Sequence, residues 1–311
     1  MTLVYYDPVF LEHNTGDHPE NAGRLVPVVQ HLNLVALDSM CSRPAWQPAT
    51  EEQICLVHTP AYLETLRQFA DAGGGWIERD TFMSERSYAV ARLAAGAAID
   101  AVQRVVAGED TSAFCLVRPP GHHALPDRAM GFCLLNNVAL AAGFATSQLE
   151  VQRVMIVDFD VHHGNGTQAV FWEDAQVAFF SMHRAPFYPY TGFADEVGTA
   201  AGKGTTCNIA VSFGTPRTEL LERFRAELTK FSDVFRPQLV IISAGFDAHR
   251  DDPIGSLGLM TEDFALMTQV IIDVAQRHAG GRIVSVLEGG YNPDVLAECV
   301  AEHLETLCQA S

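Results

Sequence analysis

The chain of 311 residues has few charged side chains and no long apolar run. Only 19% of its residues are charged, and acidic ones prevail, giving a formal net charge of −18. Phosphate contacts need a basic stripe, which is absent here, so we expect no direct nucleic-acid binding. Cationic partners are favoured, although an acidic surface serves solubility equally well. No apolar run approaches the roughly 20 residues that span a bilayer. The N-terminal MTLVYYDPVF lacks the basic flank and apolar stretch of a secretion signal, so we predict a cytoplasmic protein without a membrane partner.

The seven cysteines form an odd number, and no two have CxxC spacing. Buried free thiols in a reducing compartment are therefore expected, with no role for Cys as metal ligand or nucleophile. Repeats, low-complexity segments and an obvious linker are also lacking. With 48% hydrophobic residues, the chain has ample core for one large domain, and we predict a single domain over residues 1–311.

Strand-like and helix-like segments alternate along the chain. Predicted strands are Leu3–Tyr6, Ala113–Val117, Val154–Phe159, Val177–Ser181, Leu239–Ala244 and Ile283–Leu287. Predicted helices include Arg86–Ala107, Asn136–Gln148, Thr218–Phe231 and Thr261–Ala279. Such alternation predicts a mostly parallel sheet with helices on both faces, and in open sheets of this kind ligands bind beyond the carboxyl ends of the strands.

The segment VMIVDFDVHHGNG, residues 154–166, is the richest in candidate ligands. An apolar run ends in Asp158, Asp160, His162 and His163. In an extended chain residues two apart project the same way, so Asp160 and His162 can converge on one cation. Taken singly, an Asp at a strand end is commonly a helix cap and an HH pair is commonly surface. Four such groups directly after an apolar strand favour a metal site instead.

A third ligand is offered by LVIISAGFDAH, residues 239–249, in which another apolar run is followed by Asp247. The set Asp160, His162 and Asp247 would leave open positions on a divalent ion, as in a catalytic zinc site. Two oxygen ligands and one nitrogen could also accommodate ferrous iron or cobalt.

Two further strand ends carry chemistry. RPPGHHA, after the strand at 113–117, contains His122 and His123, and LEGGYN contains Tyr291. A neutral imidazole can take a proton from a metal-activated water, and a phenol can donate a hydrogen bond to a developing oxyanion. A tyrosine that merely anchors a turn is the alternative for Tyr291. Metal, base and oxyanion donor together indicate hydrolysis of an amide or ester.

At this point the chain resembles the zinc-dependent histone deacetylase family and its bacterial relatives. The resemblance rests on RPPGHHA, GFCLLNN, VDFDVHHGNGTQ, AGFDAH and LEGGYN, in this order, and on EHNTGDHPENAGRL near the N-terminus. It implies an arginase-like three-layer α/β/α fold with an eight-stranded, mostly parallel sheet. It also implies removal of acetyl or related acyl groups from lysine side chains, in peptides, proteins or small amines.

By this resemblance one Zn²⁺ is bound by Asp160, His162 and Asp247. His123 would be the general base that later helps to protonate the leaving amine. The remaining catalytic set comprises His122 backed by Asp158, which would stabilise charge, and the catalytic tyrosine Tyr291. Which histidine protonates the amine is left open by the sequence.

The resemblance also implies substrate and potassium contacts. Substrate-binding residues would be Phe132, Tyr188 with Phe187 as the rival, Asp80, Ile254 and Gly289. For Asp80, a loop residue that caps a helix is the alternative, and an aromatic at either channel position could be plain core. Potassium would be bound by Asp158 and Ser181 together with carbonyls of Asp160, His162 and Met182.

Asn165, in HHGNG, makes the chain resemble class II of the histone deacetylase family. Another branch of that family has Asp at this position, which supports the second histidine. Without that carboxylate, His123 should be less basic.

Three alternatives differ in what they require. A dinuclear manganese hydrolase needs a second carboxylate where this chain has Gly164. An acetylpolyamine deacetylase commonly has a glutamate gatekeeper where this chain has Ile254, which favours acyl-lysine peptides; bacterial polyamine enzymes use other means, including dimerisation. A silent acyl-lysine binding module would not need the complete catalytic set.

Overall fold

The computed structural model describes residues 1–310. Ten strands are β1 (Thr2–Tyr5), β2 (Cys41–Ser42), β3 (Gly74–Glu78), β4 (Thr81–Ser84), β5 (Ser112–Cys115), β6 (Val154–Asp158), β7 (Val177–Arg184), β8 (Thr206–Val211), β9 (Leu239–Ala244) and β10 (Ile283–Leu287). The α-helices of this range are α1 (Leu25–Leu34), α2 (Glu51–Ile54), α3 (Pro60–Asp71), α4 (Ser87–Ala107), α5 (Asn137–Gln148), α6 (Asn165–Val170), α7 (Arg217–Phe235), α8 (Thr261–His278) and α9 (Pro293–Ala310).

Eight strands form one sheet in the order β2-β1-β5-β10-β9-β6-β7-β8, and every neighbouring pair is parallel. The last strand in the chain, β10, lies between β5 and β9 near the middle of the sheet. β3 and β4 form a separate antiparallel hairpin. The predicted eight-stranded parallel sheet is therefore confirmed.

The sheet lies between two layers of helices. α4 and α5 pack on each other and on β5, β6, β9 and β10, whereas α1, α7, α8 and α9 pack together and contact the sheet through α7, α8 and α9. The inner strands β6, β9 and β10 are buried along their whole length. Strands covered on both faces carry continuous runs of β-branched and other apolar residues, as here.

All six predicted strands and all four predicted helices are present. β9 and β10 have the predicted bounds, and the other elements have shifted ends. β7 continues three residues beyond its predicted end, to Arg184, and α7 continues four residues, to Phe235. At the start of α5, the Asn136 side chain accepts a hydrogen bond from the Ala139 N–H, at 3.0 Å. Asn136 is therefore an N-cap, and the helix begins one residue later than predicted.

No helix within residues 1–310 is long and apolar enough to cross a membrane. All seven cysteines are free thiols. The expected burial holds for Cys115, Cys133 and Cys299, whereas Cys55 is exposed and the other three are half-buried.

Four neighbouring strands, β5, β10, β9 and β6, end at the same edge of the sheet. The segments that follow them contain the paired histidines, Tyr291, Asp247 and the Asp160–His162 pair. The parallel arrangement therefore brings residues from four distant parts of the chain to one place.

Candidate active site

Asp160, His162 and Asp247 converge at this edge. Nδ1 of His162 lies 3.0 Å from a carboxylate oxygen of Asp160 and 3.0 Å from one of Asp247. One possible ligand atom from each residue lies within 4.8 Å of the others, and all three side chains are buried. Within residues 1–310, no other three His, Cys, Asp or Glu side chains converge in this way.

The charges of this site suit a divalent cation. Burial, followed by the negative charge of Asp160, raises the pKa of Asp247 to about 7. Two carboxylates that are buried together repel each other, and a bound cation offsets this repulsion. Two carboxylate oxygens and one imidazole nitrogen are also a donor set that zinc accepts.

The backbone around the three side chains holds their oxygens in place. The Gly289 N–H donates to Asp160 at 2.9 Å, and the Val161 N–H donates to Asp247 at 2.8 Å. A Cβ atom at Gly289 would overlap both carboxylates, and one at Gly245 would overlap that of Asp160. Gly289, predicted to bind substrate, therefore packs directly against the two acidic side chains.

The paired histidines differ in the group that each one's Nδ1 faces. Nδ1 of His122 lies 3.0 Å from the Asp158 carboxylate, whereas Nδ1 of His123 lies 2.7 Å from the Asn165 amide oxygen. Burial lowers the pKa of His122, but Asp160 and Asp158 outweigh it and raise the pKa well above its ordinary value. Burial and then His122 lower the pKa of His123 well below its ordinary value, whereas the hydrogen bond with Asn165 acts in the opposite direction.

Glu288 orients the histidine segment and was not recognised in the sequence. Its carboxylate accepts hydrogen bonds from the backbone N–H groups of Gly121, at 2.6 Å, and His122, at 3.1 Å. Burial raises its pKa to about 7. Its position directly before Gly289 was the available signal, because it places a buried carboxylate among the other strand ends.

Tyr291 is fixed by its backbone and by its ring. The Tyr291 N–H donates to the Asp252 carboxylate at 2.7 Å, and the ring packs edge-on against Phe132, with centroids 5.7 Å apart. The guanidinium carbon of Arg24 lies 5.0 Å from the Tyr291 ring centroid. Burial and then the charge of Asp247 raise the pKa of Tyr291 well above its ordinary value, so its hydroxyl remains a hydrogen-bond donor.

A buried ion cluster supports the Tyr291 loop from behind. Arg24 donates to the carbonyls of Gly290, at 2.6 Å, and Glu288, and it pairs with Glu20 at 3.0 Å. Arg118 pairs with the same Glu20 carboxylate. Sequence reasoning missed this cluster, although the Glu20 and Arg24 spacing of four residues within the N-terminal motif was visible.

Aromatic rings lie against His123 of the histidine pair and against the candidate ligand His162. Tyr188 lies edge-on to His123, with centroids 5.2 Å apart, and to His162, at 6.1 Å. Phe187 stacks on His162 at 5.1 Å with an interplanar angle of 17°. Phe132 faces Tyr291 instead. Both Tyr188 and its rival Phe187 therefore contact the site, and they do so on different faces.

Asp80 and Ile254, both predicted to bind substrate, lie in loops. The Asp80 carboxylate accepts hydrogen bonds from the Gly131 N–H, at 3.1 Å, and the Thr81 hydroxyl, at 2.8 Å. Ile254 is half-buried, and its N–H donates to Asp252 at 2.9 Å. Asp80 is thus tied to the segment that carries Phe132 rather than to a helix N-terminus.

The residues predicted to bind potassium lie within β7 and at or just beyond the end of its partner β6. In the register of β6 and β7, Asp158 is opposite Ser181, and Met182 follows. The Ser181 hydroxyl lies 2.9 Å from Nδ1 of His183. His163, by contrast, does not join the metal ligands, because its ring nitrogens face Thr191 and Gln168.

Comparison with known proteins places this site in a family. The histone deacetylase domain family matches residues 18–307. The histone deacetylase-like amidohydrolase of Pseudomonas aeruginosa is 36% identical, over 98% of this chain and 86% of its own. A probable deacetylase of Methanothermobacter thermautotrophicus is 38% identical, over 94% of this chain and 87% of its own. The crystal structure of the HDA15 HD domain superposes with a TM-score of 0.93 at 35% identity, covering 98% of this chain and 90% of that one.

The chain therefore belongs to the histone deacetylase family. This family consists of amidohydrolases that act on acetylated substrates and generally depend on a metal. The high structural similarity also confirms the predicted fold class.

Proposed function

We propose that the protein is a zinc-dependent deacetylase that removes acetyl or related acyl groups from lysine side chains. The observation that carries this proposal is the convergence of the Asp160, His162 and Asp247 side chains beside the two histidines and Tyr291. A zinc ion held by the three side chains would polarise the amide carbonyl and make water a stronger acid.

The partners of the two histidines suggest how they divide the proton chemistry. The amide oxygen of Asn165 accepts from Nδ1–H of His123, which leaves Nε2 able to take a proton from water. The Asp158 carboxylate instead favours the protonated form of His122, which would stabilise negative charge on the substrate. His123 would then pass its proton to the leaving amine.

Tyr291 would complete the site by donating its O–H to the carbonyl oxygen as negative charge develops there. Arg24 and Asp252 hold the loop on which Tyr291 lies, so the phenol needs little reorganisation during the reaction. Phe132 and Tyr188 would line the narrow passage for the lysine side chain, and Asp80 would hold the substrate backbone.

Ile254 favours acyl-lysine over acetylpolyamine, because an apolar side chain lacks the charge that would select an ammonium group. Potassium bound near Asp158 and Ser181 would be structural. We also propose that residues 1–311 form one catalytic domain, because β1 and β10, from opposite ends of the chain, share one sheet. A location in the cytoplasm is a further proposal.

Hydrolysis of acetyllysine and trifluoroacetyllysine peptides, beside acetylspermidine, tests the proposal. The protein is reconstituted with zinc, iron(II) or cobalt in turn and assayed with and without a chelator. Chelator-sensitive cleavage of the peptides, restored by zinc, is expected. Preference for acetylspermidine would assign the protein to polyamine metabolism, and binding of acyl-lysine without cleavage would indicate a silent binding module.

A further inference from the structure

A groove of about 710 Å³ lies beside the candidate active site and is not used by the mechanism above. One wall is formed by residues 14–19, and the other by Gly73, Trp76, Phe82 and Ser84 of the β3–β4 region. The indole of Trp76 is 60% exposed. An exposed tryptophan in a groove offers an apolar ring face and an N–H group to a ligand, and tryptophan is enriched at binding surfaces.

The Trp76 side chain is held in a defined position. It lies opposite Phe82 in the register of the hairpin, and the two rings pack edge-on with centroids 5.4 Å apart. On its other side the ring of His18 lies 5.9 Å away. His18 is itself fixed, because its Nδ1 accepts from the Glu20 N–H at 3.0 Å and its Nε2 lies 3.1 Å from the Asp80 carbonyl oxygen.

A continuous series of ring contacts joins this groove to the catalytic tyrosine. The centroids of Tyr291 and Phe132 are 5.7 Å apart, those of Phe132 and His18 are 4.5 Å apart, and Trp76 follows His18. Asp80, proposed to hold the substrate backbone, lies in the turn of the hairpin that carries Trp76. A substrate backbone held at Asp80 would therefore lie close to the groove.

The chemistry of the groove suits a cation. Asp17 lines it and has no ion-pair partner among residues 1–310. Among residues 1–310, no Lys or Arg lines the groove. Arg79 lies outside it, in the turn of the hairpin. An indole face binds ammonium and guanidinium groups, and a carboxylate nearby adds charge attraction. The net charge of −18 acts in the same direction.

We propose that this groove is a substrate subsite for a Lys or Arg side chain close in sequence to the acyl-lysine, which rests on the proposed lysine deacylation. An extended peptide advances roughly 3.3–3.6 Å per residue. Side chains up to a few positions from the acyl-lysine can therefore contact Trp76. The subsite makes the protein selective for acyl-lysines in basic sequence contexts.

The test compares acetyllysine peptides that carry arginine, or its uncharged analogue citrulline, at each of two positions on either side of the acetyllysine. For each peptide pair, the ratio of kcat/KM is the readout, so that a general loss of activity cancels. The wild-type protein is expected to favour arginine by about two- to fivefold at one or more positions.

Variants identify the groove as the origin of this preference. Trp76→Leu and Asp17→Asn should move the ratio toward one, whereas Trp76→Phe, which keeps an aromatic face, should retain most of it. Asp273→Asn, an exposed carboxylate on α8, removes the same charge elsewhere and should leave the ratio unchanged.

A ratio near one in the wild-type protein, or an unaltered ratio in Trp76→Leu, would overturn the subsite while leaving the deacetylase function intact. Absence of cleavage for every peptide would instead overturn the proposed function. If Trp76→Leu lowers kcat/KM only for acetylspermidine, the groove binds a polyamine tail and the peptide subsite is wrong.

Discussion

The two adjacent histidines differ in basicity in part because their Nδ1 atoms face different side chains. His122 faces the carboxylate of Asp158, and His123 faces the amide of Asn165. A carboxylate stabilises an imidazolium, and an amide oxygen does so far less. The pair can thus hold one protonated and one neutral ring within the same buried pocket.

Replacing Tyr291 by Phe removes the proposed oxyanion donor and little else. The ring contacts with Phe132 and Arg24 remain, and the backbone bond to Asp252 does not involve the side chain. Loss of one such donor should lower kcat about 10²- to 10³-fold. Deacetylase kinetics measure this loss, and mass spectrometry measures whether the variant still contains zinc.

His162→Ala is the companion variant, because it removes a ligand instead of a donor. It should lose the zinc itself, whereas Tyr291→Phe should retain it. Equal loss of zinc from the two variants would show that Tyr291 has a structural role.

Glu20→Gln should destabilise the protein, because Glu20 is the carboxylate shared by buried Arg24 and Arg118. Removing one member of a buried ion cluster costs about 3–5 kcal/mol in the free energy of unfolding. Urea unfolding gives this value. Glu64→Gln, which breaks an exposed pair with Arg67, is the control and should change stability little.

The effect of Glu20→Gln should depend on pH. Burial alone would raise the pKa of Glu20, but Arg118 and His13 hold it well below its ordinary 4.5. A carboxyl group with a lowered folded-state pKa stabilises the protein fully above its ordinary pKa and loses this contribution as pH falls through the folded value. The difference between wild type and variant should therefore be full near neutrality and shrink below pH 4.5. A difference that grows in acid would contradict this assignment.

At the scale of elements, the sequence predicted best those that are buried on both faces. β6, β9 and β10 are continuous apolar runs, and each was recognised. β8, at the sheet edge, has four buried and two half-buried residues and includes the polar Thr206 and Asn208, and β2 has only two residues, so neither has that signal. Edge strands carry weaker patterns because one side has no partner.

The candidate ligands and catalytic residues were predictable because they directly follow recognisable strands in a parallel sheet. Arg24, Glu20 and Asp252 were not, since each has a partner far away in sequence. Arg24 and Asp252 bond to the backbone of residues 288–291, and Glu20 pairs with the Arg118 side chain. Arg24, for example, reaches the Gly290 carbonyl across 266 positions. Spacing within a motif cannot indicate such a contact.

Gly245→Ala should weaken metal binding through the loop after β9. A Cβ there would overlap the carboxylate of Asp160, so one ligand must shift. Zinc affinity, measured by competition with a chromogenic chelator, should fall about 10- to 100-fold, as for outer contacts of metal sites generally. Gly143→Ala in α5 is the matched control, because its added Cβ meets Val57 at an ordinary 3.6 Å. Equal affinity in both variants would show that Asp160 does not need this space.

Asp252→Ala should disconnect two loops that the side chain joins. Asp252 accepts from the N–H groups of Ile254 and Gly255, each at 2.9 Å, and from that of Tyr291. Displacement of the Tyr291 loop should lower kcat about 10- to 100-fold without loss of zinc. Asp251→Ala, an exposed neighbour, should have little effect. Unchanged kcat in Asp252→Ala would show that Arg24 and the ring contacts suffice to hold the loop.

For the whole molecule, the net charge of −18 should speed the capture of cationic substrates. Salt shortens the reach of this field, from about 30 Å at 0.01 M to about 8 Å at physiological ionic strength. Added salt should therefore lower kcat/KM more for an arginine-containing acetyllysine peptide than for its citrulline counterpart. Part of this difference should persist in Trp76→Leu, because it arises from the entire surface. Equal salt dependence for the two peptides would rule out steering by net charge.

The position of β10 in the sheet determines when the sheet can be completed during synthesis. Without residues 283–287, the sets β2-β1-β5 and β9-β6-β7-β8 would have no strand between them, and β5 and β9 would each lack a neighbour on one side. Unpaired edges of this kind invite pairing with other chains. β10 pairs with β5 on one side and β9 on the other, so it joins the two sets of strands. Tyr291 follows four residues after the end of β10. A nascent chain interrupted before this point has neither a complete sheet nor a catalytic tyrosine, so incomplete products should aggregate without acting on substrate.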